Sequence, residues 1–190
     1  MNKDNIKITF FGDSICAGAG VSAHEGWVSL VSRRLQEKYP TLVVTNSSVN
    51  GRTTRQALGS MPYEIQSNAP DILIVQFGMN DCNYWETDAG LPRVSIASFR
   101  SNLNEIIDRA FYCGVKKICL NTNHPTCRTD LKLPFSNFTY QDSNERYNNV
   151  IREVAASHRR DSRVFFFDIE KVFKETISDL RPYVLPEPDL

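Results

Sequence analysis

Five times in succession, a short run rich in β-branched and aromatic residues gives way to a longer stretch whose apolar residues recur three and four apart. Ile6–Phe11 reads as the first strand, and Trp27, Leu30, Val31 and Leu35 mark one face of the helix after it. Leu42–Val49 is the second strand, with a helix from about Thr53 to Gln66. Asp71–Phe77 is the most apolar run and suits burial on both faces. A long loop from Met79 to about Val94 then leads into a helix carrying Phe99, Leu103, Ile106, Ile107 and Ala110. Lys117–Thr122 is the fourth strand, followed by a loop from Asn123 to about Tyr140, a helix near Asp142–Ser157 and a fifth strand, Val164–Asp168. Repeated β-α alternation predicts a parallel sheet with helices on both faces. In such sheets ligands bind beyond the carboxyl ends of the strands, so the chemistry to look for follows each strand directly.

At 190 residues the chain is sized for a single domain spanning 1–190. Its 22 basic and 22 acidic residues cancel, and no basic stripe is present to track a phosphate backbone, so no nucleic-acid partner is expected. Met1–Asp4 lacks the apolar stretch of a signal peptide and no segment is long enough to span a bilayer. The cytoplasm is therefore the expected compartment. The five cysteines, Cys16, Cys82, Cys113, Cys119 and Cys127, are odd in number and show no CxxC spacing, which argues against a disulfide framework and against a metal site.

Three polar segments follow the first three strands. Gly12-Asp13-Ser14-Ile15 puts a serine at a glycine-loosened turn, where Asp13 and Ser14 are equally suited to cap a helix. Gly51, in Asn46–Thr54, lets its N–H approach a ligand with no Cβ in the way, while Thr53 suits the cap of the next helix. Gly78-Met79-Asn80-Asp81 offers the Asn80 amide, either as the start of a polar loop or as a donor to a developing oxyanion, a role worth roughly 3–4 kcal/mol. Jointly these positions converge on one crevice. There the Ser14 N–H, the Gly51 N–H and the Asn80 amide make a three-donor cradle beside the Ser14 hydroxyl.

In order and spacing, Gly12-Asp13-Ser14, Gly51 with Asn50 before it, and Gly78-Met79-Asn80-Asp81 resemble the first three blocks of the SGNH (GDSL-type) hydrolases, and the likeness covers nearly the whole chain. The resemblance implies a flavodoxin-like, three-layer α/β/α sandwich, and we expect its five-stranded parallel sheet in order 2-1-3-4-5. It implies ester hydrolysis through an acyl-serine intermediate, with Ser14 as nucleophile, Ser14, Gly51 and Asn80 as oxyanion hole, and no metal or organic cofactor. It also implies a DxxH block after the last strand. Asp189 stands where that aspartate belongs and the histidine falls past Leu190. The chain is thus expected to be cut off within its catalytic block, with little esterase activity as it stands and with Asp189 orienting the imidazole once restored. A pseudoenzyme on the same fold is the alternative.

Among the histidines, His24 and His158 read as surface residues. His124 follows the fourth strand, so it is expected on the pocket wall, with the extended backbone that Pro125 imposes. Asp13, Arg52, Asp81, Tyr84 and Trp85 are further candidates for the pocket lining; Arg52 and Arg128 have the chemistry to hold an anionic group, but each reads first as a surface arginine. Trp27 and Phe99 read as packing residues. Gly18-Ala19-Gly20 lacks the third glycine of a dinucleotide fingerprint, and neither a Walker loop nor a GxSxG elbow is present. The expected substrate is a small-molecule ester, with small acyl groups on carbohydrates ahead of lysophospholipids or thioesters. A non-catalytic binding protein is the reading from another class.

Overall fold

The computed structural model describes residues 5–183. Strands β1 (Lys7–Gly12), β2 (Val43–Asn46), β3 (Ile72–Gln76), β4 (Lys117–Asn121) and β5 (Val164–Phe167) pair in parallel throughout, in the order β2-β1-β3-β4-β5. They alternate with helices α1 (Ser14–Ala17), α2 (Trp27–Lys38), α3 (Thr54–Met61), α4 (Ile96–Tyr112), α5 (Tyr140–Ser157) and α6 (Ile169–Thr176). The expected sheet order and α/β/α layering are both present.

The period-two geometry of the strands explains the two cores. Ile8 and Phe10 of β1 pack with Cys16 of α1, Trp27 and Val28 of α2, and Ile72 and Ile74 of β3. The intervening residues Phe11, Leu73 and Val75 face the opposite side with Ile118 and Leu120. There they meet Ala57 and Met61 of α3, Phe99, Leu103 and Ile107 of α4, and Tyr147 and Ile151 of α5. In β5, Phe165, Phe166 and Phe167 remain 38–50 % exposed. Among the described residues no helix is long and apolar enough to cross a membrane.

Several expectations are corrected. α1 carries too few residues to show a helical period, and the expected elements end at the fifth strand, so both α1 and α6 are missing from them. The second strand stops at Asn46 rather than Val49, because the Asn46 side chain turns back to accept from Ser48 N (3.2 Å) and donate to the Cys16 carbonyl (2.8 Å). The helix expected to run to Gln66 is α only to Met61. Pro62 has no N–H to continue the ladder, and residues Pro62–Gln66 widen into a π turn.

α5 does more than cover the sheet. Its inner face carries Tyr140, Ser143 and Tyr147, spaced three and four apart, and each donates a hydroxyl to a backbone carbonyl of the loop after β3. Tyr140 reaches Met79 (2.6 Å), Ser143 reaches Cys82 (2.7 Å) and Tyr147 reaches Val94. Asn144 and Asn148, one step round the helix, hold the loop after β4. Asn148 accepts from Asn123 N (2.8 Å) and returns Nδ2 to the Asn123 carbonyl (3.1 Å), and Asn144 Nδ2 donates to the His124 carbonyl (3.0 Å). Close approach of these two loops demands glycine at position 78, where φ is +133° and a Cβ would lie 2.4 Å from Asn123 Nδ2.

A buried carbonyl stripped of its donor costs about 1–3 kcal/mol. Tyr147→Phe, which removes only the hydroxyl, is therefore expected to lower the unfolding free energy by about that amount in urea titration. An unchanged midpoint and slope would show that the Val94 carbonyl does not depend on Tyr147.

Candidate active site

Ser14 is the first residue of α1, directly beyond the end of β1, and the local chain leaves little freedom there. Gly12 is forced by crowding, since a Cβ would sit 2.7 Å from the Gln76 carbonyl and 2.9 Å from Cys16 Sγ. Asp13 caps α1 by accepting from Ile15 N (3.0 Å). The carbonyls of this single turn are satisfied one by one: Asp13 by Ala17 N, Ser14 by Gly18 N, Ile15 by Trp27 Nε1 (2.8 Å) and Cys16 by Asn46 Nδ2. The capping reading and the presentation of a serine thus coexist.

The Ser14 side of the sheet opens onto a cavity of about 700 Å³. Ser14, Ile15, Val21 and Trp27 line one wall, and Met79, Asn80, Gln76 and Asn121 lie at the strand ends. His124, Thr126, Cys127, Arg128, Tyr140, Ile169, Phe173 and Tyr183 make the far side. Trp27, expected as packing alone, both packs on Phe10 edge-on (5.4 Å) and faces the cavity. α6 is held in place by Arg152, whose guanidinium donates to Asp168 (2.9 Å) and Glu170 (2.6 Å). That sets Phe173 against the His124 ring, with centroids 5.9 Å apart.

Asn80 and Ser14 share this cavity. Asn80 Nδ2 is buried without a hydrogen-bond partner, and so is Asp13 Oδ2. The Asn80 amide lies close enough to Asp13 to ease its ionisation. Gly51 sits on the same sheet edge, in the turn closed by Arg52 N on the Val49 carbonyl (3.2 Å), with φ +75°. That turn is laid beside the end of β1 by Val49 N donating to the Gly12 carbonyl (3.1 Å).

His124 lines the cavity. Its Nδ1 lies 2.6 Å from the Pro125 carbonyl. A carbonyl only accepts, so Nδ1 carries the proton of the neutral ring and Nε2 keeps its lone pair. Burial lowers the His124 pKa, which favours that neutral form. His24 is exposed ahead of α2, and His158 ends α5 with Nε2 against Asn104 Oδ1 (3.1 Å). Asp189 lies outside the described residues.

Four of the residues expected to line the pocket do other work, and a fifth lies just below its floor. Asp81 is buried and holds the start of α3, accepting from Thr54 N (3.0 Å) and from the Thr54 hydroxyl. Arg52 is 8 % exposed rather than a surface residue. It pairs with both carboxylate oxygens of Glu64 at 2.6 Å, a partner that the π turn brings underneath it, and it lies over the Phe11 ring. Tyr84 forms a bridge with Pro92, and Trp85 stacks on Arg93 instead of facing the cavity. Asp13 is wholly buried behind Ser14. Cys16 and Cys82 are buried too, and burial raises both thiols far above the range in which thiolates form.

Burial dominates the two carboxyls beneath the site. It raises Asp13 to about 7, with the Asp81 charge adding to the rise, and raises Asp81 to about 6 against the pull of its Thr54 bonds. A carboxyl with a raised folded-state pKa contributes stability at low pH that is lost as pH climbs through that value. Asp13→Asn keeps an acceptor for Ile15 N and never ionises. It is expected to melt at a higher temperature than wild type at about pH 8, with the difference shrinking toward about pH 5. Parallel melting curves at both pH values would contradict this.

Sequence and structure comparisons agree with this layout. The profile of the GDSL-like Lipase/Acylhydrolase family matches residues 10–187. Esterase TesA of Pseudomonas aeruginosa is 29 % identical over 114 residues, which are 60 % of this chain and 53 % of that protein. An arylesterase of Vibrio mimicus is 32 % identical over 119 residues, 63 % of this chain and 56 % of its own length. The chain thus spans about half the length of these curated relatives. Among solved structures, a lipase/acylhydrolase from Enterococcus faecalis superposes with a TM-score of 0.69 at 25 % identity, covering 90 % of this chain and 80 % of that one. The acetylxylan esterase Axe2 of Geobacillus stearothermophilus shares the fold with a TM-score of 0.72 at 22 % identity, over 94 % and 83 % of the two chains. A profile that runs almost from end to end, on a sheet whose serine, glycine and asparagine segments follow its first three strands, makes this chain a member of the GDSL-like lipase/acylhydrolase family.

Proposed function

We propose that the protein is a serine esterase acting on small acyl esters through an acyl-serine intermediate. The observation that carries this reading is the pairing of Ser14, at the start of α1, with an Asn80 amide that has a buried, unpartnered donor, both on one cavity. An unpaired donor in a low-dielectric site is costly to the free protein and is satisfied when negative charge develops next to it. Ser14 attacks the ester carbonyl and loses its proton to an imidazole. The oxyanion rests on the Ser14 and Gly51 N–H groups and the Asn80 amide. The leaving alcohol takes the proton, and water releases the acyl group. The family resemblance assigns that imidazole to the block opened by Asp189. Among the described histidines, His124 is the one on the cavity wall.

For the substrate, we favour acyl groups on sugars or aromatic alcohols, because the aromatic side chains Trp27, Phe173 and Tyr183 line the cavity and suit packing against either kind of ring. The aliphatic side chains of Ile15, Val21 and Ile169 on the same cavity support a second reading, a longer acyl chain on a lysophospholipid or thioester. All five cysteines are free, which fits the reducing cytoplasm.

The test is a series of p-nitrophenyl esters of rising chain length, together with acetylated sugars, given to the full-length protein. Ser14→Ala should abolish turnover. Asn80→Ala should lower kcat by roughly two to three orders of magnitude with little change in KM. Preference for acetyl over octanoyl supports the first substrate class, and the reverse supports the second. If no ester is cleaved in a Ser14-dependent way, the esterase reading falls and a binding protein on this fold takes its place.

A further inference from the structure

The loop after β3 is folded back on itself so that its end returns to its beginning. Arg93 N donates to the Asn83 carbonyl (2.9 Å), Val94 N donates to the Asp81 carbonyl (3.2 Å), and Tyr84 and Pro92 form a bridge between the two limbs. Arg93 is thereby delivered beside Asn80. Its Nη1 donates to Asn80 Oδ1 (3.3 Å), and its guanidinium lies over the Trp85 ring, 4.1 Å from the centroid.

The chemistry of the two partners sets the direction of the amide. A guanidinium has only donors, so it engages the amide through the oxygen alone and turns Nδ2 away from itself. Nδ2 is the atom left buried without a hydrogen bond, and it lies toward the carboxyl of Asp13, the residue directly before Ser14. An unheld primary amide flips readily, and the flipped form would present oxygen, not N–H, to a developing oxyanion. A cation on Oδ1 also draws electron density from the nitrogen and makes its N–H a stronger donor. Trp85 supplies the flat face that keeps the guanidinium in place.

We propose that Arg93, steadied by Trp85, is a positioning residue that locks the Asn80 amide with its donor toward Ser14. This inference rests on the oxyanion role given to Asn80 above. It adds a function for the Trp85–Arg93 pair, which touches Asn80 and not the cavity.

The experiment has two readouts in the full-length protein. The first is the side-chain amide resonance of Asn80 in a ¹H–¹⁵N spectrum, assigned by its loss in Asn80→Asp. Arg93→Met should shift and broaden it, Trp85→Ala should do so in part, and Arg93→Lys should restore most of the wild-type position. The second is turnover of p-nitrophenyl acetate. Arg93→Met should lower kcat about ten- to a hundredfold with KM within about threefold, and Arg93→Lys should recover a large part of that loss. A merely structural arginine would lower the melting temperature without this split and without rescue by lysine. An Asn80 resonance and a kcat both unchanged in Arg93→Met would overturn the proposal, as would a raised KM at constant kcat, which would place Arg93 on the substrate. If wild type itself shows no Ser14-dependent turnover, the esterase reading has failed, and the amide resonance alone decides the role of Arg93.

Discussion

The buried face of α5 is the constraint on which the active edge depends. A loop that leaves the end of a central strand has no ladder to satisfy its peptide groups, and burying them unpaired is costly. Here the partners come from one helix. The hydroxyls of Tyr140, Ser143 and Tyr147 take carbonyls at both ends of the loop after β3, and Asn144 and Asn148 take the first peptides after β4. Helical periodicity makes the two sets adjacent stripes of a single rigid rod. Met79 and His124, whose carbonyls α5 holds, are therefore positioned relative to each other by the spacing of side chains on that helix.

Beneath that edge lies a layer of buried charge with graded compensation. Arg52 and Glu64 neutralise each other with two short bonds. Asp81 is held by the N-terminal amide and hydroxyl of Thr54, with Asn102 Nδ2 supporting that hydroxyl (2.9 Å). Asp13 is left with one oxygen satisfied and one bare. The least compensated of these carboxyls is thus Asp13, directly before Ser14.

Much of this was legible in the residues themselves. The strand order came with the family resemblance, while alternation of strand and helix patterns was enough for a parallel sheet with helices on both faces, because a strand–helix–strand repeat returns each strand in the same direction. Gly12-Asp13-Ser14, Gly51 and Asn80 could be placed on one edge for the same reason. The supporting shell was not legible. Arg52, Asp81, Tyr84 and Trp85 looked like pocket residues because each stands next to a motif in sequence, yet the neighbours that claim them are 12, 27, 8 and 8 positions away: Glu64, Thr54, Pro92 and Arg93. Nothing in a strand or helix period encodes such pairs. The polar stripe on α5 did leave a trace, since Tyr140, Ser143, Asn144, Tyr147 and Asn148 recur at helical spacing, but that period was read for apolar residues only.

The tethers from α5 to the loop after β3 all end on backbone carbonyls, and a carbonyl is present whatever the residue. Residues 86–91, between the Trp85 and Pro92 contacts, can therefore be exchanged, lengthened or shortened without untying Met79, Cys82 or Val94 from the helix. In evolutionary terms this separates two properties that usually trade against each other. The hold on the two ends of the loop can be inherited unchanged while its outer stretch drifts, which makes residues 86–91 a natural place to graft or randomise.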